Sequence, residues 1–281
     1  MSPSSYFQKS RATDFPAIAG VLRLSTKYFI DHLRQLCIAR LEVDWPSTLL
    51  GWDRREQEAT YELGRYVPRD SYPHPILVVN LALELGLDAF LSSAFYDLSR
   101  YGPSKILAGT RTPPAVFSPS PEPSSSETLS ESAKVDPSHS PVCLSPNNLV
   151  RTLQGRERSQ LYIHTFLEAA LKDRPSPNCL NAGKLTAGLC FESFYFIQLN
   201  VLRSVGGIAY GRDADPLFTL VQAVDMLERK DFSDGVKQCG LKMCMICKAE
   251  FADSVQKARI EVWDLIPGWF GLGDSASKVI E

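Results

Sequence analysis

Val21–Asp53, VLRLSTKYFIDHLRQLCIARLEVDWPSTLLGWD, is the stretch from which the fold of this chain is most readily predicted. Its apolar residues recur in steps of three and four, as they do along the buried face of an amphipathic helix. We expect one break near Ser25–Thr26 and an end before Pro46, because the residue before a proline is driven out of helical conformation. Ser47 is placed to cap a short helix over Thr48–Asp53. The stretch therefore predicts a helical scaffold rather than a catalytic element.

Helical periodicity also appears on both sides of a segment with a different composition. This segment, residues 104–145, is rich in proline and serine and cannot bury enough apolar surface to offset the entropy of ordering it. The sequence therefore predicts an all-α fold of helical, bundle-like units separated by a long disordered loop. The expected parts are a disordered N-terminus (1–14), a helical unit (15–103), the loop (104–145), a second helical unit (146–272) and a tail (273–281).

Two local predictions concern the first helical unit. The Arg54-Arg55 pair is followed by Glu56 and Glu58, which is typical of a solvated helix face rather than a binding patch. Val67–Pro75 contains three prolines and is predicted to be a loop.

In the second unit, Cys190–Leu202 is apolar and aromatic, and its periodicity fits a strand or a buried helix equally well. Asp215 is predicted to cap a helix that opens with Pro216. The last helix is predicted over Val236–Leu265, with an apolar stripe along it and Pro267 ending it.

Composition and charge narrow the class of protein. The 281 residues carry a net charge of −2, and no long basic block is present to attract a nucleic-acid backbone. No apolar run reaches the length of a membrane span, and the N-terminus lacks the apolar centre of a secretory signal. We therefore expect an intracellular protein of the cytoplasm or nucleus that binds neither nucleic acid nor membrane. Its seven cysteines are expected to be thiols or metal ligands rather than disulfides.

Several motifs occur in a recognisable order along the chain. They are the Leu22–Tyr28 helix, the Pro46–Asp53 turn, Val78–Ser99, the Gly155-Arg156 pair, and Cys244-x-x-Cys247 followed by Arg259, Trp263, Pro267 and Trp269–Leu272. Together they resemble the end of a BTB/POZ domain and the helices after it in BTB-domain proteins of mushroom-forming fungi. The resemblance covers most of the chain outside residues 104–145.

The resemblance implies a non-enzymatic protein-interaction module or adaptor that holds a partner peptide or helix in helix grooves or aromatic patches. Trp269 and Phe270 are candidate partner anchors, on condition that they are exposed. Only residues 1–20 precede the matching helix, so the usual BTB dimer interface is expected to be absent, although a homodimer of another kind stays open.

Cys244-x-x-Cys247 allows three interpretations. A redox pair needs an exposed thiolate at a helix N-terminus, whereas the sequence places these cysteines within the last helix. A structural zinc site needs two more ligands, and Cys179 and Cys190 are the candidates. The third interpretation, which the sequence favours, is that the cysteines are small buried hydrophobic residues.

No pattern of catalytic residues stands out. None of the four histidines lies in a recognisable partnership with an acid and a nucleophile, and no phosphate-binding glycine loop is present. Arg156 and Arg158 can bind a carboxylate or phosphate, but ordinary salt bridges are favoured. We therefore expect no enzyme activity and no cofactor other than, on the metal interpretation, structural zinc.

Overall fold

The architecture is given by a computed structural model. It describes residues 11–111, 141–171, 174–184, 186–202, 205, 209–230, 232–233 and 238–273. Over these residues the fold is all-α, as the sequence predicts, apart from one hairpin of two-residue strands.

The chain divides into two compact units at positions other than those predicted. The first unit comprises Met1–Ala94 and Leu107–Ser145, and the second comprises Phe95–Ile106 and Pro146–Glu281. The predicted boundary at residue 103 is therefore too late, because 95–106 packs with the C-terminal half of the chain.

The first unit begins with a pair of packed helices and continues through three more. A 3-10 turn (Ala12–Asp14) is followed by α1 (Phe15–Lys27), α2 (Asp31–Asp44), α3 (Leu49–Glu58), α4 (Pro68–Ser71), α5 (Pro75–Leu85) and a second 3-10 turn (Asp88–Phe90). The chain leaves this unit within α6 (Leu91–Ser99) and returns to it within α7 (Pro103–Ala108).

The break in the opening helix lies three residues later than predicted. The hydroxyls of Ser25 and Thr26 donate to the Leu22 carbonyl oxygen at 3.0 and 2.8 Å, so the helix continues past them. It ends where Phe29 adopts a left-handed backbone with φ of 56°. Leu22 is buried against the unit's core, whereas Phe29 is 87 % exposed.

Two further predictions for this unit need correction. Thr48, not Ser47, caps α3, since its Oγ1 accepts a hydrogen bond from the Gly51 amide at 3.1 Å. The predicted loop at Val67–Pro75 contains the short helix α4, because Pro68 occupies a first-turn position where its missing N–H is not needed.

Arg55 is the largest departure from the predicted solvated face. Its side chain is only 1 % exposed, and its guanidinium lies 4.5–4.7 Å from the ring centroids of Trp45, Trp52 and Tyr72. Its Nε donates to the Asp44 carbonyl oxygen at 2.7 Å. Arg54 is exposed, so only one member of the pair behaves as predicted.

The second unit is built on two long helices. Its elements after α7 are α8 (Pro146–Phe166), a π turn (Leu167–Leu171), α9 (Ala187–Leu202), a 3-10 turn (Gly211–Ala214), α10 (Pro216–Asp225), β1 (Phe232–Ser233), β2 (Gln238–Cys239) and α11 (Met245–Trp269). β1 and β2 are antiparallel, with Phe232 opposite Cys239. Cys190–Leu202 is therefore helical, which settles the alternative that the sequence left open.

Asp215 organises the entry into α10, as predicted, and does more than cap it. Its Oδ1 accepts from the Phe218 amide at 3.2 Å and from the Tyr96 hydroxyl at 2.5 Å, while Oδ2 accepts from Arg100 Nη1 at 2.9 Å. Arg100 also donates to Asp97. Burial raises the pKa of the Tyr96 hydroxyl, and the Asp215 carboxylate raises it further.

Arg156 and Arg158 bind backbone carbonyls instead of the predicted acidic partners. Arg156 is buried and donates to the carbonyl oxygens of Ser99, Tyr101 and Ala209. Arg158 Nη1 donates to the carbonyl oxygens of Gly268 and Trp269 at 3.0 and 2.7 Å, which satisfies two acceptors at the end of α11.

The bounds of α11 also differ from the prediction. The helix begins at Met245 rather than Val236, after the short hairpin, and it passes through Pro267 to end at Trp269. Gly240 follows β2 and lies close to the Arg229 backbone, since a Cβ there would be 2.9 Å from the Arg229 carbonyl oxygen. Cys244 is the N-cap of α11 rather than a residue within it.

Trp269 and Phe270 do not meet the condition set for partner anchors. Trp269 is 7 % exposed and Phe270 is fully buried, stacked on Phe95 with 5.6 Å between ring centroids. Both residues belong to the core of the second unit, and the anchor prediction is wrong for both.

The segment predicted as a disordered loop is ordered where the structure describes it. Pro103–Ala108 is helical, and Thr110 forms a backbone bridge with Val142. Residues 112–140 lie outside the described residues, as do 1–10 of the N-terminus predicted to be disordered and 274–281 of the predicted tail. In the part of the chain that the structure describes, no helix has the length and apolar character needed to cross a bilayer.

Candidate metal centre

Four cysteines from three separate parts of the second unit meet at one point. They are named here the four-cysteine cluster, which consists of Cys179, Cys190, Cys244 and Cys247. Cys179 lies in the turns after the π helix, and Cys190 lies in the first turn of α9. Cys244 is the N-cap of α11, and Cys247 lies in its first turn.

The sulfur atoms lie close enough together that they could bind a single metal ion. All four lie within 4.8 Å of one another, and the sulfurs of Cys179 and Cys244 are 3.9 Å apart. A tetrahedral zinc ion with Zn–S bonds of about 2.3 Å sets its sulfurs about 3.8 Å apart. The interpretation favoured from the sequence was that these are small buried hydrophobic residues, with Cys179 free to lie elsewhere. Three of the four are buried, as that interpretation expects, and Cys179 lies with the other three, as the metal interpretation requires.

Consecutive turns bring Cys179 to the cluster. Ser176 Oγ accepts a hydrogen bond from the Asn178 amide at 3.0 Å, and the Cys179 amide donates to the Ser176 carbonyl oxygen at 3.0 Å. Gly183 then takes a left-handed φ of 71°, which a residue with a Cβ adopts only with strain. These turns aim the thiol back toward the helix ends.

Donors from the protein backbone and from Asn181 point at the sulfurs. Cys190 Sγ accepts hydrogen bonds from the Cys244 amide and from Asn181 Nδ2, each at 3.2 Å. Cys190, Cys244 and Cys247 also lie at the N-terminal ends of helices, where the partial positive charge of the helix dipole favours thiolates. Four thiolates around a divalent ion keep a net negative charge, which these donors and dipoles stabilise.

The surroundings shift the pKa of three of these thiols, and not all in the same direction. Burial acts to raise the pKa of Cys244, but hydrogen bonds from the backbone of Cys247 and Leu180 outweigh it and lower that pKa to about 6. Burial raises the pKa of the Cys190 and Cys247 thiols. Cys190 and Cys247 therefore have to lose their protons when they bind a metal as thiolates.

The cluster is closed toward solvent on most sides. Cys179, Cys190 and Cys247 are buried, and Cys244 is half-buried. On the inner side, the rings of Phe194 from α9 and Phe251 from α11 meet edge-on with 5.8 Å between centroids. The four-cysteine cluster therefore lies where α9 and α11 meet.

Sequence reasoning identified the four cysteines but missed the groups that orient them. Asn181 is the clearest omission, since its amide binds Cys190 Sγ and accepts from the Thr186 hydroxyl at 3.3 Å. The sequence does contain one indication of this role: Asn181 follows Cys179 by two residues in a turn-forming stretch. Cys244 is the N-cap of α11, so it lies at a helix N-terminus, as the redox interpretation requires. The position predicted for it, within a helix, did not meet that requirement.

The histidines have other positions. His74 caps α5 through Nδ1, which accepts from the Ile76 amide at 3.3 Å, and His32 and His164 are exposed. His139 lies outside the described residues.

Comparison of the chain with protein-family models, with curated proteins and with solved structures found no match. The likeness to fungal BTB-domain proteins therefore rests on the sequence motifs given above.

Proposed function

We propose that the second unit is a structural zinc domain and that the four-cysteine cluster is its metal site. The observation that carries this proposal is the convergence of four cysteine sulfurs within 4.8 Å of one another. Four soft thiolate ligands in a tetrahedral arrangement select zinc or an iron–sulfur centre over magnesium or calcium. Iron is therefore the competing metal in the test below.

A structural role fits the ligand set better than a catalytic one. Catalytic zinc sites have three protein ligands and keep a position open for water or substrate, whereas structural sites use all four positions. Four thiols lie close enough together to supply all four positions, and three of them are buried. The same count weighs against the redox interpretation of Cys244 and Cys247, because that interpretation has no use for Cys179 and Cys190.

The metal would join segments that are far apart in sequence. Cys179 and Cys244 are 65 positions apart, and the cluster ties the turns around Cys179 to the starts of α9 and α11. Structural zinc contributes about 10–16 kcal/mol of binding free energy in small zinc-finger peptides, and that free energy is available only to the folded form. We therefore expect the folding of the second unit to depend on the metal.

Metal analysis of the purified full chain tests the proposal. We expect about one zinc per chain in the wild type, and loss of zinc to a competing chelator at much lower chelator concentration in Cys179→Ser and Cys247→Ser. Cys143→Ser is the matched control, because Cys143 is exposed and belongs to the first unit. Replacement of zinc by cobalt should give the visible spectrum of a tetrahedral tetrathiolate site.

Three results would contradict the proposal. They are a well-folded wild type without bound metal, iron in place of zinc after expression in medium that contains both metals, and zinc retention in Cys179→Ser equal to that of the wild type.

A second candidate function concerns the first unit, and we propose it as a non-enzymatic protein-interaction module. The observation that favours it is the turn between α1 and α2, where Leu24, Tyr28 and Phe29 are exposed. Phe29 is also held at a φ of 56°, where a residue with a side chain is strained. Aromatic residues are enriched among those that contribute most to protein binding, which makes this exposed ring a candidate anchor. The resemblance to fungal BTB-domain proteins supports the same function.

Site-specific crosslinking tests this second candidate. A photo-reactive amino acid replaces Phe29 in one form of the chain and Leu63, which is 98 % exposed in the same unit, in the other. In cells of the source organism, we expect a discrete protein adduct from position 29 and none from position 63. Equal adduct patterns from both positions would rule out an anchor at Phe29.

A further inference from the structure

Helix α9 is apolar on the side that faces solvent as well as on the side that faces the core. Its inner side buries Cys190, Phe194, Ile197 and Val201. Its outer side carries five large apolar residues that are 43–57 % exposed: Phe191, Tyr195, Phe196, Leu199 and Leu202. A helix at the surface of a monomer normally places charged residues on its outer side, and a helix that is apolar all round is normally buried.

The five residues form a continuous stripe, named here the α9 stripe. Phe191, Tyr195, Leu199 and Leu202 follow one another in steps of four, four and three, which keeps them on one side of the helix. Phe196 lies beside Tyr195 and widens the stripe. Glu192 is the sole charged residue between Ala187 and Leu202.

The chemistry of the stripe indicates what covers it. A partner selected by charge needs acidic or basic residues to pair with, and the α9 stripe offers only Glu192. An uncharged apolar surface is complementary to itself, which is the requirement for a two-fold interface between identical chains.

The exposed area of the α9 stripe is also large enough for such an interface. Five large side chains, each about half exposed, give on the order of 500 Å² per copy and about 1,000 Å² for a pair, the lower limit for a specific interface.

We infer that the α9 stripe is a homodimer interface, in which α9 of one copy packs against α9 of a second copy. The inference does not depend on the metal, since the stripe lies on the side of α9 opposite Cys190 and Phe194. It goes beyond both proposed functions by giving the chain an oligomeric state and a surface that produces it.

Sedimentation velocity on the full chain over a range of concentrations tests the inference. We expect a dimer for the wild type at low micromolar concentration and a monomer for the double variant Tyr195→Glu and Leu199→Glu. The control is Leu161→Glu, because Leu161 is also exposed but lies on α8; this variant should remain a dimer. Circular dichroism and metal content, measured on the same samples, show whether each variant has folded.

Two outcomes would overturn the inference: a wild-type monomer over the whole concentration range, or a folded double variant that sediments as a dimer.

Disulfide crosslinking gives an independent measurement if the double variant fails to fold. In a Cys143→Ser background, Phe196→Cys places a thiol at the middle of the stripe and Leu63→Cys places one far from it in sequence. A disulfide-linked dimer should form through position 196 and not through position 63, and equal crosslinking at both would also overturn the inference.

Discussion

At the scale of single residues, burial separates neighbours that look alike in the sequence. Arg54 and Arg55 are adjacent arginines with acidic residues nearby, yet Arg55 is enclosed by three aromatic rings and Arg54 is exposed. One signal was available: Trp52, Arg55 and Ala59 follow at helical spacing, and all three are buried. The neighbouring rings, Trp45 and Tyr72, come from outside that helix, and no local pattern brings them together.

The buried guanidinium predicts a strong difference between the two arginines. Arg55→Ala should lower the free energy of unfolding by about 3 kcal/mol, because it removes a desolvated cation from aromatic faces and leaves a cavity among them. Arg54→Ala should change it by less than about 0.5 kcal/mol. Urea unfolding followed by tryptophan fluorescence measures both, since Trp45 and Trp52 line the site. Equal losses in the two variants would mean that the enclosure of Arg55 contributes nothing.

The left-handed backbone of Phe29 predicts a stabilising substitution. Phe29→Gly should raise the free energy of unfolding by about 1 kcal/mol, because glycine adopts this backbone without strain and little packing is lost from an exposed side chain. Tyr28→Gly is the matched comparison. Tyr28 is also exposed, but its φ is −101°, so glycine should destabilise there. Thermal unfolding of both variants gives the sign, and a destabilised Phe29→Gly would refute strain at this turn.

At the scale of helices, the interiors were predictable and several ends were not. The apolar stripe of α11 follows from its spacing, but its start was placed nine residues too early, because a short hairpin ends at Cys239 and the backbone stays non-helical up to Cys244. That boundary decides the chemistry of the site, since it moves Cys244 from the middle of a helix to its N-cap. Asp215 and Pro216 show the opposite case, where a cap and a first-turn proline fix a helix start locally.

The contact between α8 and the end of α11 predicts that one glycine cannot be replaced. A Cβ on Gly155 would lie 2.0 Å from Cε1 of Phe270, a ring that is fully buried. Gly155→Ala should therefore cost more than about 2 kcal/mol of stability, because the packed core cannot make room. Gly268→Ala is the control, since a Cβ there meets nothing within 4 Å in the same unit, and it should be neutral or stabilising.

A second substitution shows whether the Gly155 effect comes from this contact. Phe270→Leu replaces the ring that meets position 155 with a smaller aliphatic side chain. The double variant of Gly155→Ala and Phe270→Leu should be more stable than the sum of the two single effects predicts, as contacting residues are expected to be non-additive. Additive losses would place the cause elsewhere.

At the scale of the whole molecule, the composition of the candidate site was predictable but its assembly was not. The spacing of Cys244 and Cys247 marks a pair of ligands, because residues three apart lie on one side of a helical turn. Nothing local indicates that Cys179, 65 positions before Cys244, lies 3.9 Å from it. That proximity depends on the turns after Ser176 and on the packing of Phe194 against Phe251, which are tertiary properties. The all-α class was predictable because it follows from local periodicity alone.

Removal of the metal is expected to affect the second unit first. Treatment with a zinc chelator should speed hydrogen exchange in α9 and α11, whose N-terminal ends hold three of the four cysteines, and should change it less in α5 of the first unit. An equal change in α5 would contradict a metal site confined to the second unit.

The effect of pH on this metal loss has a definite sign. Burial raises the pKa of the Cys190 and Cys247 thiols, so they hold their protons in the metal-free protein, and zinc must displace those protons in order to bind. Zinc affinity should therefore rise with pH, and a fixed chelator concentration should strip the metal more completely at pH about 6 than at pH about 8. The same hydrogen-exchange measurement at the two pH values, corrected for the intrinsic rate, gives the comparison. Metal loss that does not change with pH would mean that the ligands are not protonated thiols, and the four-cysteine cluster would then need another explanation.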